Sequence, residues 1–382
     1  MFKKVNNLVF TVLFLTVLFV PFLFTRWESG GVSEKENRNL ALFPSVIVDD
    51  KFNQSFTKDF ETWFMDHMGF RQDLIAANTD FMQKVFDRSL SNSDWKIGRT
   101  GDSIFAPNFI VHDYAHANLR SKEDVKRIGE SYQIIHDWLV AKDISFYYVQ
   151  CVDKHTIYPE RFIEHVNQMG DVSKTDQVLN YLQNETSVNA IYFKQVLDEN
   201  RMQYDVFSHW GDSTHWTDRG AYISYCHMMD QINKDQTVPL RILTEEDYHI
   251  SYETYYGYNG ESEQIEVFSI KSPTAQRTDT SVMGEWATDH RHSVWKNPVA
   301  GNDQRLLLMG DSYFNGYLID DIAESFREVW LVWGDYTGDM PAIVELCDPD
   351  IVILECAERV DRSGNIVGLA NDLQMQPESI AE

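Results

Sequence analysis

The residues best suited to covalent chemistry are a serine, a histidine and an aspartate held in two short blocks. Gly-Asp-Ser occurs three times, as Gly101-Asp102-Ser103, Gly211-Asp212-Ser213 and Gly310-Asp311-Ser312. The triplet alone is ordinary turn chemistry, because all three residue types favour turns. Context separates the copies. Only the third follows a continuous apolar segment, Leu306-Leu307-Leu308-Met309, and precedes a helical pattern. A strand-turn-helix junction of this kind lifts a hydroxyl above the carboxyl ends of a parallel sheet, where sites of that architecture lie. It also turns backbone N–H groups toward a developing oxyanion. Ser312 is therefore the candidate nucleophile, while Ser103 and Ser213 lack that setting. The second triplet continues as Gly211-Asp212-Ser213-Thr214-His215-Trp216-Thr217. With Asp212 and His215 three apart on a loop or one helical turn, the carboxylate can bond Nδ1–H and leave Nε2 to take a serine proton. The competing reading of this string is a surface loop carrying one of the chain's 12 histidines.

The elements that must position these residues read as α/β. Phe52, Phe56, Phe60 and Phe64 recur every four residues, the stripe of an amphipathic helix, and a second helix is expected to run through Phe81. Val125, Ile128, Tyr132, Ile135 and Leu139 mark another helix, and helical patterns return near 173–183 and 218–233. Ile144 to Val152 is a continuous apolar strand of the type covered on both faces. Arg305 to Met309, Val329 to Trp333 and Ile351 to Leu354 are further strands, with a helix expected over Asp320 to Phe326. Strands alternating with helices imply a parallel sheet with helices on both faces. Residues 244–300 are polar and tyrosine-rich and are expected to form an excursion from that sheet.

Composition bounds the partners. The 382 residues are 43% hydrophobic and 13% aromatic, enough to bury a large core. Lys+Arg total 33 against 59 Asp+Glu, a net charge of −26, which excludes a nucleic-acid partner because phosphate binding needs a basic face. Cys151, Cys226, Cys347 and Cys356 allow three disulfide connectivities, with buried thiols as the alternative. They have no CxxC spacing, and neither a metal site nor a cofactor is assigned. At the N-terminus, Lys3 and Lys4 precede the apolar run Leu8 to Phe24, 17 residues that reach about 25 Å as a helix. No small-residue cleavage signature follows, so residues 1–27 read as an uncleaved anchor in preference to a cleaved signal peptide. The positive N-terminal side places the remainder outside the cytoplasm. Residues 28–45 form a linker, and 46–382 form the exported domain.

Taken together, these blocks resemble a known family. Asp-X-X-His partnered with Gly-Asp-Ser is the pattern of SGNH hydrolases, but here the Asp/His block precedes the serine block by about 100 residues. That order resembles the circularly permuted SGNH-hydrolase-like proteins of the alginate O-acetylation type (AlgJ and AlgX) and the related DHHW proteins. Further matching segments are Glu36-Asn37-Arg38-Asn39-Leu40-Ala41 with Pro44, Phe60-Glu61 leading to Asp66-His67-Met68-Gly69-Phe70-Arg71, and Lys154-His155-Thr156-Ile157-Tyr158-Pro159-Glu160. Thr214-His215-Trp216 with Gly220-Ala221, and Pro349 to Glu355 with Glu358-Arg359, complete the set. Two departures stand out. The family often has one residue between Asp and His where this chain has two, and it often has Asp-Gly-Trp-Leu-Phe where this chain reads Gly101-Asp102-Ser103-Ile104-Phe105.

The resemblance implies acetyl transfer outside the membrane, with Ser312 as nucleophile, His215 as base and then acid, and Asp212 orienting His215. It further implies a membrane-bound O-acyltransferase as acyl donor and a cell-surface polysaccharide as acceptor. A carbohydrate esterase or an inactive polysaccharide-binding scaffold is the alternative. Tyr248, Tyr252, Tyr255, Tyr256 and Tyr258 offer a sugar-stacking surface, against the alternative of loop packing. Glu355, Glu358 and Arg359 are expected to brace a sheet edge.

Overall fold

Strands that are apolar on both faces require cover on both sides, and this requirement organises the larger part of the chain. The computed structural model describes residues 2–27, 31–33, 38–48, 51–71, 73–74, 94–256 and 261–375. The chain divides into two compact units, Met1–Asn92 and Ser93–Glu382. Besides a short pair, Trp95–Ile97 and Ser103–Phe105, the strands of the second unit are β1 (Ser145–Cys151), β2 (Asn189–Tyr192), β3 (Tyr248–Tyr256), β4 (Ser262–Ile270), β5 (Gln276–Thr278), β6 (Ser293–Lys296), β7 (Arg305–Gly310), β8 (Glu328–Trp333) and β9 (Ile351–Ala357). Seven of these form one sheet in the order β5-β6-β8-β7-β9-β1-β2. The five strands from β8 to β2 are parallel, and β6 and β5 extend the β8 edge in antiparallel fashion.

Alternation along β7 divides the core. Leu306 and Leu308 point into one cluster, and Leu307 and Met309 into the other, all fully buried. Each such side chain contributes about 1.5–3 kcal/mol of burial. Besides the short helices Asn108–Tyr114 and Lys154–Ile157, the described helices include α1 (Phe2–Leu23), α2 (Phe56–His67), α3 (Lys122–Val140), α4 (Lys174–Glu185), α5 (Lys194–Asn200), α6 (Asp218–Asn233), α7 (Ser312–Tyr317), α8 (Ile319–Ser325), α9 (Met340–Cys347) and α10 (Ser363–Met375). The first cluster takes Tyr225, Met228 and Met229 of α6 and Ile322 of α8. The second takes Ile135 and Leu139 of α3, Leu179 of α4, Ile343 of α9 and Leu369 of α10. Helices thus cover both faces, the mixed α/β architecture that the sequence implies.

Three expectations change. The helix carrying the phenylalanine stripe begins at Phe56, and Phe52 instead pairs within a two-residue strand. Residues 244–300 are only partly an excursion: β3 and β4 form a separate hairpin, whereas β5 and β6 rejoin the main sheet. Glu355 stands in β9, a central strand flanked by β7 and β1, not at a sheet edge. The expected helix through Phe81 runs mostly outside the described residues, as does Tyr258. All four cysteines are free thiols, with Cys151, Cys347 and Cys356 buried.

In the first unit the N-terminal helix forms over Phe2–Leu23, and the rings of Phe22 and Phe64 lie 6.0 Å apart where it meets α2. Among the described residues no helix is long and apolar enough to cross a membrane.

Candidate active site

The serine turn is fastened from the neighbouring strand. β7 ends at Gly310, Asp311 caps α7, and Ser312 is the first helical residue. The Asp311 carboxylate accepts from Tyr313 N at 3.1 Å and from Ala357 N at 3.0 Å, while its own N–H donates to Glu355 Oε2 at 2.7 Å. A Cβ at position 310 would lie 2.7 Å from that same Glu355 oxygen, so a larger residue there would have to displace the carboxyl that accepts the Asp311 N–H. Burial, reinforced by the charge of Asp311, pushes the Glu355 carboxyl well above the usual carboxylate range. Ser312 N–H, at the first helical position, has no intrahelical acceptor and is free to meet an oxyanion.

The histidine comes from a loop tied to the start of α6, whose cap Thr217 accepts from Gly220 N. His215 Nε2 lies 2.7 Å from Ser312 Oγ, and Nδ1 lies 2.7 Å from Asp212 Oδ2. The two-residue gap between Asp212 and His215 is accommodated because Thr214 folds back. Its N–H and hydroxyl donate to Asp212 Oδ1 at 2.7 and 2.6 Å. Burial raises the Asp212 pKa, but hydrogen bonds from His215 and Thr214 outweigh it and hold the carboxyl at about 2. Asp212 is therefore ionised at neutral pH and fixes the tautomer in which Nδ1 carries the proton and the Nε2 lone pair faces the serine hydroxyl. That geometry suits proton removal from Ser312. The ring of Tyr317 stacks on His215 with centroids 5.3 Å apart, and its hydroxyl reaches Asp212 Oδ2 at 3.4 Å. Tyr313 packs against the imidazole at 5.0 Å.

An outer layer holds the histidine loop. Arg359 Nη1 donates to the Thr214 carbonyl at 2.7 Å and to the Tyr313 hydroxyl at 3.2 Å, and it pairs with the buried Asp153. Glu358 accepts from Asp153 N at 3.0 Å, and the Thr156 and Tyr192 hydroxyls also donate to it. Burial lifts its carboxyl to about 7, with His155 acting in the opposite direction. Asp153, His155 and Glu358 bring potential ligand atoms within 4.8 Å of one another, yet each is engaged by protein groups. Sequence reasoning placed Arg359 as a brace and missed its hold on Thr214. Tyr317 was missed as well, although an aromatic one helical turn after Ser312 was visible as a hint.

Of the other two triplets, the second supplies Asp212 to the hydrogen-bonded chain above, and the first is held in a buried charged cluster. Asp102 is fully buried, ion-paired with Lys154 at 3.2 Å and 2.9 Å from His209 Nδ1. Burial raises its pKa, but the hydrogen bond from His209 and the charge of Lys154 bring it well below the carboxylate range. Ser103 lies in a short strand, its N–H donating to the His209 carbonyl at 2.8 Å. Ser213 is buried beside the histidine loop. Glu263 of β4 accepts from His209 N and Trp210 N at 2.8 Å each, which ties the β3–β4 hairpin to the loop before Asp212. Of the tyrosine cluster, Tyr248 is buried, Tyr252 and Tyr256 are exposed, and Tyr255 lies against Gly211.

A mostly parallel sheet with a serine at a strand-to-helix turn, met by an Asp–His pair from another loop, defines an SGNH-hydrolase-like domain. The chain belongs to the family described as SGNH hydrolase-like domain, acetyltransferase AlgX, which it matches over residues 113–315. Among solved structures it is similar to PatB1 of Bacillus cereus carrying a sulfonyl adduct, at 15% identity and a TM-score of 0.52, covering 72% of this chain and 97% of that one. It is also similar to a DHHW family protein from Eubacterium siraeum, at 14% identity and a TM-score of 0.48, covering 73% of this chain and 96% of that one. The O-acetyltransferase domain of Pseudomonas putida AlgJ is similar at 12% identity and a TM-score of 0.45, covering 73% of this chain and 99% of that one. No curated protein matches.

Proposed function

We propose that this protein is an extracytoplasmic O-acetyltransferase that moves an acetyl group through an acyl-Ser312 intermediate to a hydroxyl of a cell-surface polysaccharide. The observation that carries the reading is the unbroken hydrogen-bonded chain from Ser312 through His215 to Asp212. Ser312 Oγ attacks the donor carbonyl while its proton passes to His215 Nε2. Collapse of the tetrahedral adduct expels the leaving group, which takes that proton from His215. An acceptor hydroxyl then gives its proton to His215 and attacks the acyl carbon, and Ser312 recovers its proton as the C–O bond to the enzyme breaks. The ionised Asp212 stabilises the imidazolium in both halves. Lys3, Lys4 and the apolar run to Phe24 support an N-terminal anchor that keeps Ser312 near a membrane-bound acyl donor. The Asp/His block preceding the serine block supports a circularly permuted form of the fold.

The test feeds the purified protein an activated acetyl ester with and without an oligosaccharide, and follows acetate release and sugar acetylation together. Acceptor should speed donor turnover, because a bound hydroxyl is held in place to attack the acyl-serine. Fast hydrolysis without acetylated sugar would make the protein an esterase, and sugar binding without modified Ser312 would make it a scaffold.

A further inference from the structure

Tyr317 belongs to two places at once. Its ring stacks on His215, and it also lines a cavity of about 460 Å³ at the far end of the serine's helix, a size within the range of small-molecule sites. The walls include Asp218 and Tyr222 from α6, Trp295 from β6, and Tyr317, Asp320 and Asp321 from the α7–α8 corner.

Two features fix what such a cavity can hold. The rings of Tyr222, Trp295 and Tyr317 offer apolar faces against which the C–H face of a sugar packs. Four carboxylates, Asp218, Asp320, Asp321 and Glu324, lie in the wall, and Glu324 accepts from Thr274 N at 2.7 Å and Ala275 N at 2.8 Å with Arg241 at 3.7 Å. Asp218 accepts from Phe268 N at 3.0 Å, but no lysine, arginine or histidine pairs with Asp218, Asp320 or Asp321 among the described residues. Asp321 is only 9% exposed, and its polar neighbour Tyr248 has a buried hydroxyl without a well-formed hydrogen bond. Burial raises the carboxyls of Asp218, Asp320 and Asp321; Glu253 adds to it at Asp218, Glu324 adds to it at Asp320 against the charge of Arg277, and at Asp321 the charges of Asp320, Asp218 and Glu324 help carry it to about 7. A desolvated wall that already resists its own negative charge repels a carboxylate ligand, and the net charge of −26 adds to that repulsion. Hydroxyl and ammonium donors, by contrast, satisfy these oxygens.

We infer that this cavity is the acceptor subsite, and that it takes a hexose bearing hydroxyl or amino groups but no carboxylate. The inference rests on the transferase reading of Ser312 and narrows its acceptor to non-uronate polymers. The position suits the task, since Tyr317 links the cavity wall to the imidazole that must receive the acceptor proton.

The experiment titrates three probes into the purified wild-type protein by calorimetry: a glucosamine tetramer, a neutral glucan tetramer and a galacturonate tetramer. The glucosamine tetramer should bind best, the glucan more weakly and the galacturonate not measurably. Asp321→Asn and Trp295→Ala should each weaken glucosamine binding at least tenfold, roughly the loss of one good contact. If neither variant folds, the wild-type ranking alone decides. Equal or tighter binding of galacturonate, absence of binding by all three, or unchanged affinity in both folded variants overturns the inference. Sulfonyl labelling of Ser312 in the same wild-type sample separates the two readings. Labelled Ser312 without discrimination among sugars sinks only the subsite. Unlabelled Ser312 with discrimination intact sinks the transferase and leaves a sugar site.

Discussion

Replacing Glu355 with glutamine should make the protein progressively more stable than wild type as pH rises. Glu355 is completely buried; Oε2 accepts the Asp311 N–H at 2.7 Å, and Oε1 has no hydrogen-bond partner. Burial, then the charge of Asp311, raises its folded-state pKa well above normal. The unfolded chain ionises this group near pH 4.3, while the folded chain keeps the proton to higher pH. Between those two values the native state binds one more proton than the unfolded state. Stability therefore falls by about 1.4 kcal/mol for each pH unit gained in that window. Glutamine keeps the shape and still offers an oxygen to Asp311 N–H, but it cannot ionise. The stability difference between Glu355→Gln and wild type should grow by about 1.4 kcal/mol per unit from pH 5 upward, because other titrating groups largely cancel in the comparison. Glu355→Ala cannot ionise either, so its difference from wild type should have the same slope, offset downward by about 1–3 kcal/mol from the orphaned Asp311 N–H and further by the cavity. Urea denaturation of the three proteins at pH 5, 6 and 7 provides the values. A constant difference between wild type and Glu355→Gln across that range would refute the upward shift of the Glu355 carboxyl.

Two further outcomes follow from the same geometry. His215→Ala should lower acetyl transfer by several powers of ten, because base and nucleophile act as a unit, and Asp212→Ala should lower it by about two powers of ten fewer; steady-state donor turnover measures both. Arg359→Ala should destabilise the protein by about 3–5 kcal/mol by stranding the buried Asp153, a loss read as a shift in the denaturation midpoint.

The central strands were legible because β1, β7, β8 and β9 carry the apolar runs Phe146 to Val149, Leu306 to Met309, Val329 to Trp333 and Ile351 to Leu354. Ser312 was legible for the same reason, since a polar triplet at the end of such a run has nowhere to go but the sheet rim. β6 was not legible: Ser293, Val294, Trp295 and Lys296 mix polar and apolar residues because one neighbour is a short antiparallel strand. Helix α9, with a proline at its start and only eight residues, gave too little periodicity. Glu355 was misplaced at an edge because a charged residue in a strand suggests solvent, whereas here it is buried and accepts the Asp311 N–H. Arg359 and Thr214 are 145 residues apart, and their contact exists only once β9 lies beside β7.

The most direct test of Ser312 as the nucleophile is peptide mass spectrometry after brief exposure to an activated acetyl ester, on wild type, Ser312→Ala and Ser103→Ala. A single acetyl group on the peptide containing Ser312 should appear in wild type and in Ser103→Ala and be absent from Ser312→Ala. Acetylation that persists in Ser312→Ala, or that maps to Ser213 in wild type, would contradict the assignment.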